Sequence, residues 1–140
     1  MNYNKRVGSS YECLFSFEAL QRGLHPHNSI GDYLGHDTAV MNDAGKFYRV
    51  NVKGTNSSRC SNGGKRRYEI SVGTGRDHKK PLDCTKVDII AVFIQPSRCW
   101  YLVPCLPVSN LSTLKFYPDT PGGSKAITEP FRDDWSCFFQ

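Results

Sequence analysis

An acidic residue, an amide and a lysine fall within residues 36–55, and these side-chain types suit a site for a divalent cation and a phosphate. β-branched and aromatic residues surround the polar segment 42–45, which predicts two strands joined by a tight turn. Asp37 starts the first strand, and Asn51 and Lys53 lie near the end of the second. Because side chains alternate along a strand, Asn51 and Lys53 share one face, where an acidic residue of the neighbouring strand can lie opposite them.

A helix is predicted over residues 9–23, ahead of this hairpin. Ser9 and Glu12 have the spacing of a capping box, and Gly23 suits the C-terminal cap. Glu12 is therefore open to two interpretations, a capping carboxylate in the first turn or a member of a site. Helical spacing predicts a buried stripe of Leu14, Phe17, Leu20 and Leu24.

The remaining pattern predicts a mixed β-sheet flanked by helices, an α/β or α+β fold in a single domain over residues 1–140. Residues 54–65 are polar and glycine-rich and predict an exposed loop. Residues 87–94 are almost all apolar, which is typical of a strand buried on both faces. Further strands are expected at 66–72, 100–103 and 111–117, with a terminal helix over 129–139 that carries Trp135, Phe138 and Phe139 into the core.

Positive charge is concentrated in one segment. Residues 51–86 hold nine Lys and Arg and three Asp and Glu, a net charge of +6, whereas the rest of the +5 chain sums to −1. Such a patch indicates a polyanionic partner, although a solvated loop has the same composition. We expect the basic loops to contact DNA through Arg59, Lys65, Arg66, Arg67, Lys79 and Lys80.

Other features exclude several classes of protein. No apolar run approaches the roughly 20 residues of a membrane span, and residues 1–10 lack the apolar core of a secretory signal, so we expect a cytoplasmic protein. Six cysteines are present without a Cys-x-x-Cys pair, which disfavours structural zinc. In a cytoplasmic protein we expect these thiols to be reduced.

The order of these features resembles the PD-(D/E)XK nuclease superfamily, and most of all its small Holliday junction resolvases and group I intron homing endonucleases. Glu12 on the first helix, Asp37, Asn51-x-Lys53 and Asp88 occupy matching places in the order of elements. The run Val-Asn-Val-Lys-Gly-Thr over residues 50–55 is similar to the core signature of that superfamily, in which a polar residue precedes a lysine by two positions at a strand end.

This resemblance implies a restriction-endonuclease-like core and a metal-dependent DNA endonuclease that uses Mg²⁺, with Mn²⁺ able to substitute. By the same resemblance Asp37 would ligate the metal, Glu12 would reach it from the helix, and Asn51 would take the second ligand position. Lys53 would orient the attacking water and offset charge on the phosphate. A homodimer or higher homo-oligomer would cut both strands.

Several alternatives stay open. Asn51 stands where most of these nucleases have Asp or Glu, and an uncharged ligand weakens Mg²⁺ binding, so the chain could be a catalytically weakened DNA-binding module. Asp32 competes with Asp37 for the first metal position, and Glu69 could compensate for Asn51. Asp88 either supports the metal site or caps the start of its strand. A structural protein whose basic loops serve solubility is the third class.

Overall fold

The computed structural model describes residues 2–28, 30, 35–60, 66–73, 80–120 and 125–140. Asp32, Lys65 and Lys79, which the sequence singled out, lie outside these ranges. No helix within them is long and apolar enough to cross a membrane. The regular elements in these ranges are helix α1 (Tyr3–Gln21), strands β1 (His25–Asn28), β2 (Thr38–Met41), β3 (Phe47–Thr55), β4 (Arg59–Cys60), β5 (Arg66–Ser71), β6 (Ile89–Ile94), β7 (Cys99–Pro104) and β8 (Thr113–Phe116), and short 3-10 helices at Gln95–Ser97, Leu106–Val108, Glu129–Phe131 and Trp135–Phe139.

Helix α1 begins six residues before the predicted start. Asn2 is its N-cap and accepts a hydrogen bond from the Asn4 amide at 2.8 Å. The Ser9–Glu12 spacing therefore lies inside the helix and caps nothing, so the predicted capping box is wrong. The predicted end is confirmed: Gly23 has a φ of 84°, and its amide and that of Leu24 close the last turn in a Schellman motif.

The predicted buried stripe of α1 is also wrong in part. Phe17 and Leu20 are 59% and 58% exposed, and the helix packs instead through Tyr11, Phe15 and Ala19. Apolar residues occupy more than one side of this helix, so spacing alone did not identify the buried side. The buried set recurs every four residues and places two aromatic rings against the sheet.

A five-stranded mixed sheet forms the centre of the fold, with strand order β1-β2-β3-β6-β7. All neighbours pair antiparallel except β3 and β6, which are parallel. Strand β6 is buried on both faces, as its apolar run predicted. The mixed α/β class predicted from the sequence is thus confirmed, and β3 lies at the middle of the sheet.

The two faces of this sheet are covered differently. On one face α1 packs with Val50, Val52 and Leu102, together with Trp135 and Phe138. On the other face a three-stranded sheet, ordered β4-β5-β8, packs against β6 and β7. The sequence predicted helices on the flanks of the central sheet, whereas a second sheet covers this face.

The predicted terminal helix over 129–139 is wrong. Two 3-10 helices occupy this segment, and Asp133 between them has a φ of 49°, a conformation that no α-helix contains. Trp135 and Phe138 enter the core as expected, whereas Phe139 is 53% exposed.

One expectation about the thiols is contradicted. Cys84 and Cys105 form a disulfide with their Cα atoms 5.7 Å apart. The two residues are brought together because Cys105 follows β7 directly while residues 80–88 return beside it, and their 21-residue separation gave no sign of this contact. Cys99 is a buried thiol, and burial raises its pKa to about 11.

Candidate active-site cleft

Asp37 is fixed against β3 by both its backbone and its side chain. The hairpin turn before β3 closes at Gly45, which has a φ of 82° and donates to the Asn42 carbonyl. At the open end of the hairpin the Asp37 amide donates to the Val50 carbonyl at 3.0 Å. The Asp37 Oδ2 accepts from the Val52 amide at 2.8 Å, so the carboxylate lies beside the strand segment that carries Lys53.

Glu12 reaches the same region from α1. It is the tenth residue of the helix and lies in its third turn, where no backbone amide needs a capping carboxylate. The structure therefore removes the capping interpretation of Glu12. Its side chain is half-buried.

A close contact between α1 and β3 sets the position of Glu12 relative to Lys53. The Tyr11 ring lies so near Gly54 that a Cβ there would fall 2.4 Å from Tyr11 Cδ2. The Tyr11 hydroxyl donates to Gln95 Oε1 at 2.9 Å, and burial raises the pKa of Tyr11, which keeps this donor protonated. The sequence did not predict this contact, because the glycine that follows Asn51-Val52-Lys53 is compatible with the end of any strand.

These residues border one open cleft of about 400 Å³ at the end of the sheet. Glu12, Asp37 and Lys53 all line it. Among the residues that the structure describes, Lys53 forms no ion pair within 4.0 Å. The remaining lining residues are Asn4, Val7, Gly8, Tyr11, Val52 and Gly54.

Asn51 lies beside this cleft and does not line it. It is half-buried on β3, on the face that alternation gives it in common with Lys53. The pairing of β2 with β3 ends with Thr38 opposite Val50, and the Asp37 amide also bonds to Val50, so the regular register does not continue to Asn51. Asn51 directly precedes Val52, whose amide donates to the Asp37 carboxylate.

The oxygen atoms near the cleft fit a hard divalent cation. In the described ranges no group of three or more His, Cys, Asp or Glu side chains could hold a metal. Mg²⁺ needs fewer: it binds proteins through one or two carboxylates and completes its octahedron with waters and phosphate oxygens. The carboxylates of Glu12 and Asp37, which both line the cleft, match this requirement in type and number, whereas a zinc site built from four protein ligands does not match these donors.

Two other acidic residues are committed to structural pairs. Glu69 accepts from Arg67 Nε at 2.7 Å, and this hydrogen bond lowers the pKa of Glu69. Glu69 lies on the three-stranded sheet and is absent from the cleft lining, so the structure does not place it where it could compensate for Asn51.

Asp88 joins the starts of two parallel strands. Its Oδ2 accepts from the Arg49 amide at 2.7 Å and Nε at 3.0 Å, and its Oδ1 from Nη2 at 2.9 Å. The Arg49 hydrogen bond lowers the pKa of Asp88. The strand-start interpretation of Asp88 therefore matches its position.

A basic hairpin follows the cleft directly along the chain. Strand β3 ends at Thr55, and β4 pairs with β5 so that Arg59 lies opposite Arg67. Arg59, Arg66 and Lys80 are exposed. Lys115 of β8 lies opposite Glu69 and adds a cation that the charge count over residues 51–86 missed, because only the cross-strand register brings it here.

Comparison with known proteins shows a similar fold among solved structures. No protein-family model matches the sequence, and no curated protein matches it. Among solved structures the chain is similar to a bacterial homing endonuclease, I-Ssp6803I, with a TM-score of 0.78 over 99% of this chain and 95% of that chain. Because the two sequences are 19% identical, the likeness shows a common fold.

Proposed function

We propose that this protein is a DNA endonuclease that depends on a divalent metal and hydrolyses phosphodiester bonds. The convergence of Glu12, Asp37 and Lys53 on one cleft, from helix α1, the residue that precedes β2 and strand β3, carries the proposal. The structural neighbour is itself a bacterial homing endonuclease, which supports the assignment. We assign the chain to the PD-(D/E)XK type of nuclease on the order of these residues.

Each cleft residue would have its own role in cleavage. Asp37 and Glu12 would hold the cation through carboxylate oxygens, and Asn51 would offer an amide oxygen from β3. The Val52 amide fixes one oxygen of Asp37, which orients the other oxygen atom of that carboxylate. Lys53 lies near the phosphate and offsets the negative charge that develops in the transition state. Bound Mg²⁺ or Mn²⁺ supplies a polarised water and neutralises phosphate charge.

The basic hairpin would hold the DNA backbone. Arg59 and Arg66 are exposed at the β4–β5 pairing that follows the cleft, and Lys115 extends the positive surface to β8. Each phosphate contact releases counterions and makes binding salt-dependent. Cutting of both strands requires two clefts, so we further propose a homodimer or higher homo-oligomer. We also propose a cytoplasmic location, as expected from the sequence.

A plasmid assay tests the proposal. Supercoiled plasmid and a synthetic four-way junction are incubated with Mg²⁺, Mn²⁺ or EDTA, because the chosen substrate separates homing from junction-resolving activity. Nicking or linearisation that needs metal is expected, and Lys53→Ala and Asp37→Ala should lose it while retaining DNA binding. Lys46→Ala removes a cation at the opposite end of β3 and should leave cleavage unchanged. Full cleavage in both cleft variants would refute the site.

Asn51 favours a second candidate, a DNA-binding module whose nuclease site has weakened. It carries no charge and lies outside the cleft lining, so it contributes less to cation binding than a carboxylate. Under this candidate the wild type shifts DNA equally with Mg²⁺ or EDTA and cuts nothing, while Asn51→Asp gains metal-dependent cutting. If Asn51 is a ligand of an active site, Asn51→Asp should instead lower the Mg²⁺ concentration for half-maximal cleavage.

A further inference from the structure

A second cavity, of about 330 Å³, lies between the C-terminal half of α1 and the start of β7. Its volume falls at the small end of ligand pockets, which suits one nucleotide and excludes a duplex. Its lining includes Arg22, Phe93, Gln95, Arg98, Trp100 and Asp133. None of these residues belongs to the cleft described above.

The side chains of the second cavity combine three kinds of chemistry. Phe93 is half-buried and offers an aromatic ring, and the buried Trp100 ring packs against it with the centroids 4.9 Å apart. Arg22 and Arg98 supply guanidinium groups, and Gln95 supplies an amide. Aromatic rings stack on bases, arginine binds phosphate, and amides bond base edges. Together these groups match a nucleotide better than they match a metal ion or a purely apolar ligand.

The two arginines are available for a ligand. Within the described part of the chain Arg98 takes part in no ion pair. Arg22 meets Glu18 only at 4.0 Å, and its guanidinium lies 4.6 Å from the centre of the Trp135 ring. The carboxylates of Glu18 and Asp133 also line the cavity, and a phosphate bound at Arg98 would break no ion pair of that arginine.

The backbone is held in an unfavourable conformation on both sides of the cavity. Among described residues other than glycine, Arg98 and Asp133 alone have positive φ, 49° in each case. A glycine would adopt the positive φ of either turn at a lower free-energy cost. Asp133 is held there by its hydrogen bonds with the Trp100 backbone, at 3.0 Å and 2.6 Å. Residues with such strained backbone conformations are concentrated at ligand sites, where the surrounding contacts compensate for the strain.

The second cavity is next to the candidate active-site cleft. Gly54 at the cleft and Phe93 at the second cavity are register partners on adjacent strands. Tyr11 lines the cleft and donates its hydroxyl hydrogen bond to Gln95 of the second cavity. A DNA strand whose phosphate occupies the cleft would have a neighbouring nucleotide within reach of the second cavity.

We propose that the second cavity binds one unpaired nucleotide of the DNA strand beside the cleavage position. The inference rests on the proposed function, since it takes the ligand from the DNA that the cleft would cut. Its base would lie against Phe93, and its phosphate would meet Arg98. Removing a base from a paired stack costs free energy, and the cost is least for a base that is already unpaired. The protein should therefore prefer DNA with an unpaired base.

Binding of two labelled DNAs tests this, with EDTA present so that nothing is cut. One is a matched 20-base-pair duplex and the other carries a single additional, unpaired adenine. The wild type should bind the bulged duplex about tenfold more tightly, as one stacked base contributes. The advantage should fall below about twofold in Arg98→Gly, which keeps the positive φ, and in Arg22→Gln. Lys46→Gln, which removes a charge at the far end of β3, should retain it.

Each other outcome has a defined meaning. Equal binding of both DNAs by the wild type overturns the inference and leaves the proposed function standing, whereas failure to bind either DNA contradicts the proposed function. An advantage that persists in both arginine variants would come from the flexibility of bulged DNA and would also overturn the inference. Saturable binding of free dAMP without any bulge advantage would identify a free nucleotide as the ligand and reject a strand nucleotide.

Discussion

Strand β3 carries one cation near each end, and the surroundings of the two are opposite. Near the start, Arg49 makes three hydrogen bonds to the Asp88 carboxylate through its amide and guanidinium. Towards the end, Lys53 lines a cleft with Glu12 and Asp37 and, among described residues, makes no ion pair. We call the Arg49–Asp88 ion pair the clasp. Its two partners are bonded to each other, whereas Lys53 at the other end of the strand lies in an open site.

The difference separates a structural ion pair from a candidate catalytic set. At the clasp, donors and acceptors satisfy one another, and nothing remains for a ligand. In the cleft, Asp37 is fixed by a backbone amide, which orients a carboxylate without neutralising its charge. A lysine without an ion pair and a carboxylate held by a backbone amide can act on a phosphate and a metal ion.

Outside Asp37 and Lys53, the largest effect should follow from Glu12→Gln. If Glu12 is a ligand in the cleft, cleavage should fall about 100-fold or more, because the metal loses a charged oxygen. The N-terminal cap of α1 should stay intact, because Asn2 is the N-cap and Glu12 lies in the third turn. Urea unfolding and single-turnover cleavage measure the two effects.

Asn2→Ala is the matched control. It removes the N-cap hydrogen bond and should lower the free energy of unfolding by about 1 kcal/mol while cleavage stays near wild type. A loss of stability in Glu12→Gln with normal cleavage would return Glu12 to a structural role.

Next in size is Gly54→Ala. The new Cβ would collide with the Tyr11 ring, 2.4 Å away, and displacing α1 should cost about 1–3 kcal/mol. Cleavage should fall as well, since Glu12 moves with the helix. A double-mutant cycle with Tyr11→Ala isolates the contact: the double variant should be less destabilised than the sum of the single variants, and strict additivity would refute the contact.

A smaller effect is expected from Asp88→Asn, which opens the clasp. Both side chains are 36% exposed, so screening by solvent limits the loss to about 1 kcal/mol at neutral pH. The folded pKa of Asp88 lies below its unfolded value, so the pair stabilises the fold above about pH 4 and loses this contribution as the pH falls through the folded pKa. Urea unfolding at several pH values should show the two proteins converging in acid. A constant difference down to pH 2 would contradict the pairing.

The smallest effect should come from Arg59→Gln in the basic hairpin. Binding should weaken equally for all sequences, and the slope of log Kd against log salt should fall by about 1 if Arg59 contacts one phosphate. Fluorescence anisotropy at several salt concentrations measures this slope. Lys46→Gln removes the same charge elsewhere and should leave the slope unchanged; an equal change in both variants would move the DNA surface away from the hairpin.

The parts of the fold that depend on local pattern were predictable. The hairpin around residues 42–45, the alternation of β5 and the doubly buried β6 each follow from strand periodicity and turn residues within a few positions. The positions of Asp37 and Lys53 on neighbouring strands follow from the same hairpin. What each residue does in the cleft stays a prediction.

The parts that depend on distant contacts were not predictable. The choice of Tyr11 and Phe15 over Phe17 as the buried side of α1 is made by the sheet beneath it. The disulfide and the second sheet arise from pairings between segments far apart in the sequence. The capping motif at Ser9 gave a wrong helix start, because the helix begins earlier with Asn2 as its N-cap.

One paired measurement tests the central contrast most directly: cleavage rate and unfolding free energy for Asp37→Asn and Asp88→Asn, each under saturating Mg²⁺. Asp37→Asn should lower the single-turnover rate about 100-fold to 1,000-fold, comparable with the loss of a key electrostatic group, and should change stability little. Asp88→Asn should lower stability and leave the rate within about threefold of wild type. The reverse pattern, with cleavage lost at Asp88 and retained at Asp37, would contradict the assignment of an open site and a closed clasp to the two ends of β3.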